Sequence, residues 1–218
     1  MNNTGKRELV KNDYNAIAQI FSDTYSSIKP CLPYVDDFVS RLKGKNKKVF
    51  EVGCGDGQLL NYLSNRGLDV IGLDFSKNLL AIAKKKYPNL TFINNDICDY
   101  KTKEKFDGII SKDVLFHIPD EDLVKVLNNI KNMLTKNGKF CVIMDMPKEE
   151  GEQIFVEELD ERYKIYYNYM SPEKIEKILI DSGFIIDDKV ISNNNDEASS
   201  YAFGLMVFQC SKNSINFS

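Results

Sequence analysis

The chain has no apolar run approaching the length of a membrane span, no Cys-x-x-Cys pair, no excess of positive charge and a single histidine. Each absence removes a class of function. The start, MNNTGKRELVKND, is polar where a secretory signal would need an apolar stretch, so no membrane insertion is expected. The five cysteines, Cys31, Cys54, Cys98, Cys141 and Cys210, are odd in number and far apart, which argues against a disulfide frame and a zinc site. A reducing cytoplasm suits them. A net charge of −3 gives no whole-molecule field toward nucleic acid or an anionic membrane. The basic runs RLKGKNKK and KKK (84–86) lack interleaved aromatics and read as solvated ends.

What is there suffices for one folded domain: 218 residues, 43% of them apolar and 28% charged. Residues 1–12 read as a polar leader, 13–210 as the domain and 211–218 as a tail. Within 13–45, Tyr14, Ile17, Ala18, Phe21 and Tyr25 recur at helical spacing, and Val35, Phe38, Val39 and Leu42 repeat it, giving a helical cap. Strands and helices then alternate from KVFEV to GKFCVIMD. That pattern predicts an α/β fold with a doubly wound, mostly parallel sheet and helices on both faces. The last two strands, IIDDKVIS and YAFGLMVFQC, are joined by a polar loop and predict an antiparallel terminal hairpin. Residues 146–171 form an insertion between the fifth strand and the next helix.

The stretch VFEVGCGDGQ puts three glycines at the first strand-to-helix turn, the usual ligand contact of doubly wound sheets. Glycines at 53, 55 and 57 let main chain touch a ligand and present N–H groups at a helix start. A nicotinamide-binding turn would need its third glycine at position 58, which is Gln58. No Lys-Ser/Thr pair follows, which excludes a phosphate loop.

Glu51, Gly53, Gly55 and Gly57, as E-x-G-x-G-x-G after a strand, resemble the first motif of the class I S-adenosylmethionine-dependent methyltransferases, and of their small-molecule branch in particular. VIGLDFS, INNDICDY, FDGIISKDVLFHI and MLTKNGKFCVI resemble four further motifs in order, so the resemblance spans about residues 13–210. It implies a seven-stranded Rossmann-like sheet and S-adenosylmethionine as cofactor. By the same resemblance Asp74 would hold the ribose, Asp96 and Ile97 the adenine edge, Phe75 and Ile97 the faces of the adenine, and Glu51 the methionine amino end. Cys54 in the turn, Ser111 on the fourth strand, and Tyr14 and Tyr25 in the cap would complete the cofactor contacts. A helix cap beside Ser76 is the alternative role for Asp74, and a turn acid the alternative for Asp96. The chemistry agrees: a sulfonium ligand without phosphate suits acids and no basic residue at the turn.

His117, just after the fourth strand, could be a general base near neutrality, or could bond its turn and position the helix at Asp120. Lys112 and Asp113 are lesser candidates for polar contact and read chiefly as surface residues. The family's N/D-P-P-Y/F run is replaced by Ser111, Lys112, Asp113 and Val114, which disfavours exocyclic amines of bases. In related enzymes the insertion and the N-terminal helix close the pocket, so Tyr166, Tyr167 and Tyr169, with Tyr14, would line an aromatic acceptor site. Core packing is their plainer role. The expected function is methyl transfer to a hydroxyl or amine of a small molecule, by a monomer or weak homodimer with no nucleic-acid or membrane partner. Protein or RNA methylation, and a non-catalytic cofactor-binding module, are the alternatives.

Overall fold

A computed structural model describes residues 1–24, 27–45, 47–146, 149–156, 160–193 and 204–212. The elements run α1 (Asn3–Ala16), α2 (Ala18–Thr24), a 3-10 turn at Lys29–Cys31, α3 (Leu32–Arg41), β1 (Lys48–Val52), α4 (Gln58–Asn65), β2 (Asp69–Asp74), α5 (Lys77–Lys86) and β3 (Thr91–Asn94). Then come β4 (Phe106–Lys112), a 3-10 turn at Leu115–His117, α6 (Asp120–Met133), β5 (Leu134–Asp145), β6 (Gly151–Val156), β7 (Lys164–Tyr169), α7 (Pro172–Asp181), β8 (Phe184–Asn193) and β9 (Gly204–Lys212).

Seven strands form one sheet in the order β3-β2-β1-β4-β5-β9-β8. The first five are parallel, and β9 is antiparallel to both β5 and β8. The expected doubly wound sheet and terminal hairpin are both present. Side-chain alternation explains why the sheet is buried on both faces. Phe50, Ile109, Phe140, Val142 and Phe208 join one core with α6 and α7, while Val49, Ile110, Cys141, Ile143 and Val207 join the other with α3 and α4. Strand order reverses between β1 and β4, opening a crevice at their carboxyl ends.

Two boundaries differ from expectation. The supposed leader is most of α1, capped by the Asn2 side chain accepting from the Gly5 N–H. Its polar residues are satisfied across the molecule: Lys6 pairs with Glu152 and Arg7 with Asp96, while Val10 is fully buried against Ile165 and Tyr166. The helical cap therefore begins at Asn3, because side chains of β6 and the third-strand loop complement a face that is polar on its own. At the other end β9 runs to Lys212, since Lys139 and Phe184 of its neighbours pair with Ser211 and Lys212. The insertion is a separate two-stranded antiparallel hairpin, β6–β7, pairing Gly151 with Tyr169 through to Val156 with Lys164.

Candidate active site

A cavity of about 740 Å³ lies over the carboxyl ends of β1, β2, β4 and β5, roofed by α1, α2 and the hairpin. That is within the roughly 300–1,000 Å³ typical of small-molecule pockets. Its floor is the glycine turn. Gly53 has φ +71°, and its N–H donates to the Leu73 carbonyl at 2.7 Å; a β-carbon there would stand 2.2 Å from Val114 Cγ2. Gly55 donates its N–H to Asp74 Oδ2 at 2.9 Å, and a β-carbon there would stand 4.0 Å from Phe21 Cε1, an ordinary contact.

Of the expected contacts, Glu51, Gly53, Cys54, Gly55, Asp74, Phe75, Asp96, Ile97, Tyr14, His117, Tyr167 and Tyr169 all line this cavity. Gly57 does not. It is left-handed at the start of α4, and a β-carbon would crowd Phe92 and Tyr87 at 3.1 Å, so packing is what requires a glycine there. Ser111 is 1% exposed and also off the cavity; its strand neighbour Lys112 reaches it instead. Tyr166 faces the other side of β7, where it packs on Val10 and its hydroxyl donates to Glu152 Oε1 at 2.8 Å. The two-residue strand period gives the cavity Ile165, Tyr167 and Tyr169. Tyr25 lies outside the described residues.

Burial dominates the electrostatics. Glu51 is 3% exposed, its Oε2 has no hydrogen-bond partner, and burial, with the Asp74 charge behind it, pushes its carboxyl well above the ordinary range. Asp74 is pushed up to about 6 by burial, against the N–H groups of Ser76, Gly55 and Phe75 that favour its charge. Its carboxylate thus caps the turn into α5 and pins the glycine turn at once. Asp96 accepts from the Cys98 N–H at 2.8 Å and from Arg7 Nη1 at 2.7 Å.

His117 is enclosed, and burial lowers its pKa to about 4. Nδ1 lies 2.9 Å from the Tyr166 carbonyl, which can only accept, so Nδ1 carries the proton and Nε2 accepts from the Tyr14 hydroxyl at 3.0 Å. The imidazole is neutral and both nitrogens are engaged. His117 thus bridges α1, the 3-10 turn and β7.

Sequence reasoning missed or set aside several cavity residues, among them Arg7, Lys112, Asp113 and Asp145. Arg7 sat in the supposed leader, and Lys112 and Asp113 were read as surface. Asp145 closes β5 as Asp74 closes β2, a signal visible in CVIMD beside VIGLD. Burial and then the Asp113 charge raise the Asp145 carboxyl to about 8. Among the described residues, no three His, Cys, Asp or Glu side chains form a group able to hold a metal ion, and no helix is long and apolar enough to cross a membrane.

Comparison with known proteins agrees with this architecture. Residues 49–138 match the family described as a methyltransferase domain. The ubiquinone biosynthesis O-methyltransferase of Coxiella burnetii is 31% identical over 150 residues, covering 63% of this chain and 61% of that protein. An uncharacterized methyltransferase of Alkaliphilus oremlandii is 25% identical over 170 residues, covering 73% and 74%. The chain spans about half to three quarters of the length of the curated relatives it matches. In fold, it superposes on the 1,6-didemethyltoxoflavin-N1-methyltransferase of Burkholderia thailandensis, solved with its substrate and S-adenosylhomocysteine, with a TM-score of 0.76 at 14% identity, covering 97% of this chain and 91% of that one. The order of its motifs and of its strands agrees with the class I S-adenosylmethionine-dependent methyltransferases that the sequence resembles, and residues 49–138 match a methyltransferase domain.

Proposed function

We propose that the protein transfers the methyl group of S-adenosylmethionine to a hydroxyl or amine of a small organic molecule. The observation that carries this reading is Glu51: a buried carboxylate with an unpartnered oxygen, facing a cavity beside a turn stripped of side chains. Such a group lacks a cation, and S-adenosylmethionine brings an ammonium and a sulfonium but no phosphate. Glu51 would take the amino end, Asp74 the ribose, and Asp96 with Phe75 and Ile97 the adenine. Bound there, the cofactor supplies a methyl group already activated by the positive sulfur.

The chain's own work is alignment and exclusion of water. His117 holds the Tyr14 ring over the cavity, and the β6–β7 hairpin supplies a wall of Phe155, Tyr167 and Tyr169. A roofed, aromatic chamber favours a small acceptor over a protein loop or an RNA strand, which would need an open rim. The Coxiella and Burkholderia relatives act, by their names, on ubiquinone precursors and a toxoflavin precursor, which fits that scale.

Calorimetry with S-adenosylhomocysteine tests the reading. The protein should bind it, and Asp74→Ala should bind at least about tenfold more weakly, since removing the partner of a buried polar contact costs about 1–3 kcal/mol. Unchanged affinity in the variant would remove the ribose assignment, and absent binding would remove the function.

A further inference from the structure

The far end of the cavity gathers more carboxyl groups than its one lysine can pair. Lys112 Nζ pairs with Asp113 Oδ2, and its charge also acts on Glu51 and on Asp145. One lysine thus stands among three carboxylates. Each of these acids keeps one shielded oxygen without a hydrogen-bond partner among the described residues: Glu51 Oε2, Asp113 Oδ1 and Asp145 Oδ1. Glu51 is buried, Asp113 and Asp145 are half-buried, and all three line the cavity. If Glu51 meets the cofactor's amino group, Asp113 and Asp145 are still short of a cation. A resident metal does not fill the role, because the described residues offer no ligand group for one.

The same chamber carries an aromatic wall. Tyr167 and Tyr169 stack with ring centroids 4.9 Å apart and planes within 9°, and Phe116 lies 5.5 Å from Tyr167. Tyr14 links the two regions, since it lies near both Tyr167 and Asp113. Aromatic faces attract ammonium groups, and an ammonium brings three N–H donors where a hydroxyl brings one.

We propose that the methyl acceptor is an amine, held as an ammonium by Asp113 and Asp145 and carried on an aromatic or apolar body that packs on Tyr167 and Tyr169. This rests on the methyltransferase reading and narrows it from hydroxyl or amine to amine. Asp113 is paired with Lys112, so Asp145 is the carboxylate that takes a proton. The ammonium gives one proton to Asp145, the freed nitrogen lone pair forms the N–C bond as the C–S bond breaks, and that bond's electrons remain on sulfur. The groups acting on Asp145 are Asp113 and Lys112, with Glu51 and Cys31 behind Lys112 and Glu149 lining the same cavity.

Tyramine and 4-ethylphenol separate the choices, because they share a phenol and differ by the amine. The full chain is first titrated with S-adenosylhomocysteine, and the loaded protein then with each probe. Tyramine should bind at least about tenfold more tightly than 4-ethylphenol, and a labelled methyl donor should place the label on nitrogen. Tyramine affinity should rise as pH approaches 8, where the Asp145 carboxyl loses its proton, and Asp145→Asn should weaken binding about tenfold and flatten that rise. Asp113→Asn should weaken it likewise, which keeps the test open if one variant fails to fold. Equal binding of the two probes, label on oxygen, or no binding of tyramine to the loaded protein would overturn the inference while leaving the methyltransferase reading intact. Failure of S-adenosylhomocysteine itself to bind would overturn both.

Discussion

The two halves of the cavity are built differently. Over β1 and β2 the surface is main chain: Gly53, Cys54 and Gly55, with N–H groups turned to the Leu73 carbonyl and the Asp74 carboxylate. Over β4 and β5 it is side chain: Asp113, Asp145, His117, and tyrosines delivered by α1 and a hairpin far along the sequence. The first half is determined by a few consecutive residues and tolerates almost no change. The second is assembled from distant segments, each of which can vary with the acceptor. Backbone builds the first half, and side chains build the second.

The sharpest way to break the first half is Gly53→Ala. The new methyl would meet Val114 Cγ2 at 2.2 Å, and the residue sits at φ +71°, where a β-carbon is disfavoured. Overpacking and strain of this kind cost about 1–3 kcal/mol each, so chemical denaturation should show a loss of about 3 kcal/mol and cofactor binding should fall with it. Adding Val114→Ala removes the clash and leaves the backbone strain. The double variant should therefore recover part of the loss, and no recovery would mean that the contact is not what requires the glycine.

The second half should reveal itself through pH. The Asp145 carboxyl stands near 8 in the folded protein against 3.8 when free, so the folded state binds a proton that the unfolded state has released. Its contribution to stability is present below pH 3.8 and is lost as pH rises toward 8. Asp145→Asn does not titrate, so it should be more stable than the parent above pH 4, by a margin that grows up to pH 8. His117 works in the opposite direction. Its pKa is lowered to about 4 from 6.5, so its contribution is present above pH 6.5 and is lost as pH falls toward 4. His117→Gln should flatten only that acid limb in thermal melts. A parent whose melting temperature is level from pH 4 to 8 and tracks both variants would contradict these environments.

The same contrast explains what the sequence disclosed. The glycine turn, Asp74 and the strand alternation depend on neighbours within a few residues, and 12 of the 16 expected site residues line the cavity, with Tyr25 outside the described residues. Gly57, Ser111 and Tyr166 show how such reading fails. Gly57 fits the motif yet answers to Phe92 and Tyr87 packing, which depends on β3 and on the end of α5. Ser111 was one residue out of phase with the strand end. Arg7 was hidden because its face of α1 looks solvated until Asp96 and Asp122 are brought to it.

Tyr166 and Tyr167 offer the finest comparison, since adjacent residues of one strand are sent to opposite faces. Tyr166→Phe removes one hydrogen bond to Glu152, which is on a partly exposed face and also paired with Lys6. The cost should be about 0.5–1.5 kcal/mol in denaturation, with S-adenosylhomocysteine and tyramine affinities unchanged. Tyr167→Leu keeps an apolar side chain but removes the ring from the stack, so it should weaken tyramine severalfold and leave S-adenosylhomocysteine affinity as it was. If the two variants exchanged these effects, β7 would run one residue out of register with the wall described here, and the aromatic acceptor chamber would have to be assigned to its other face.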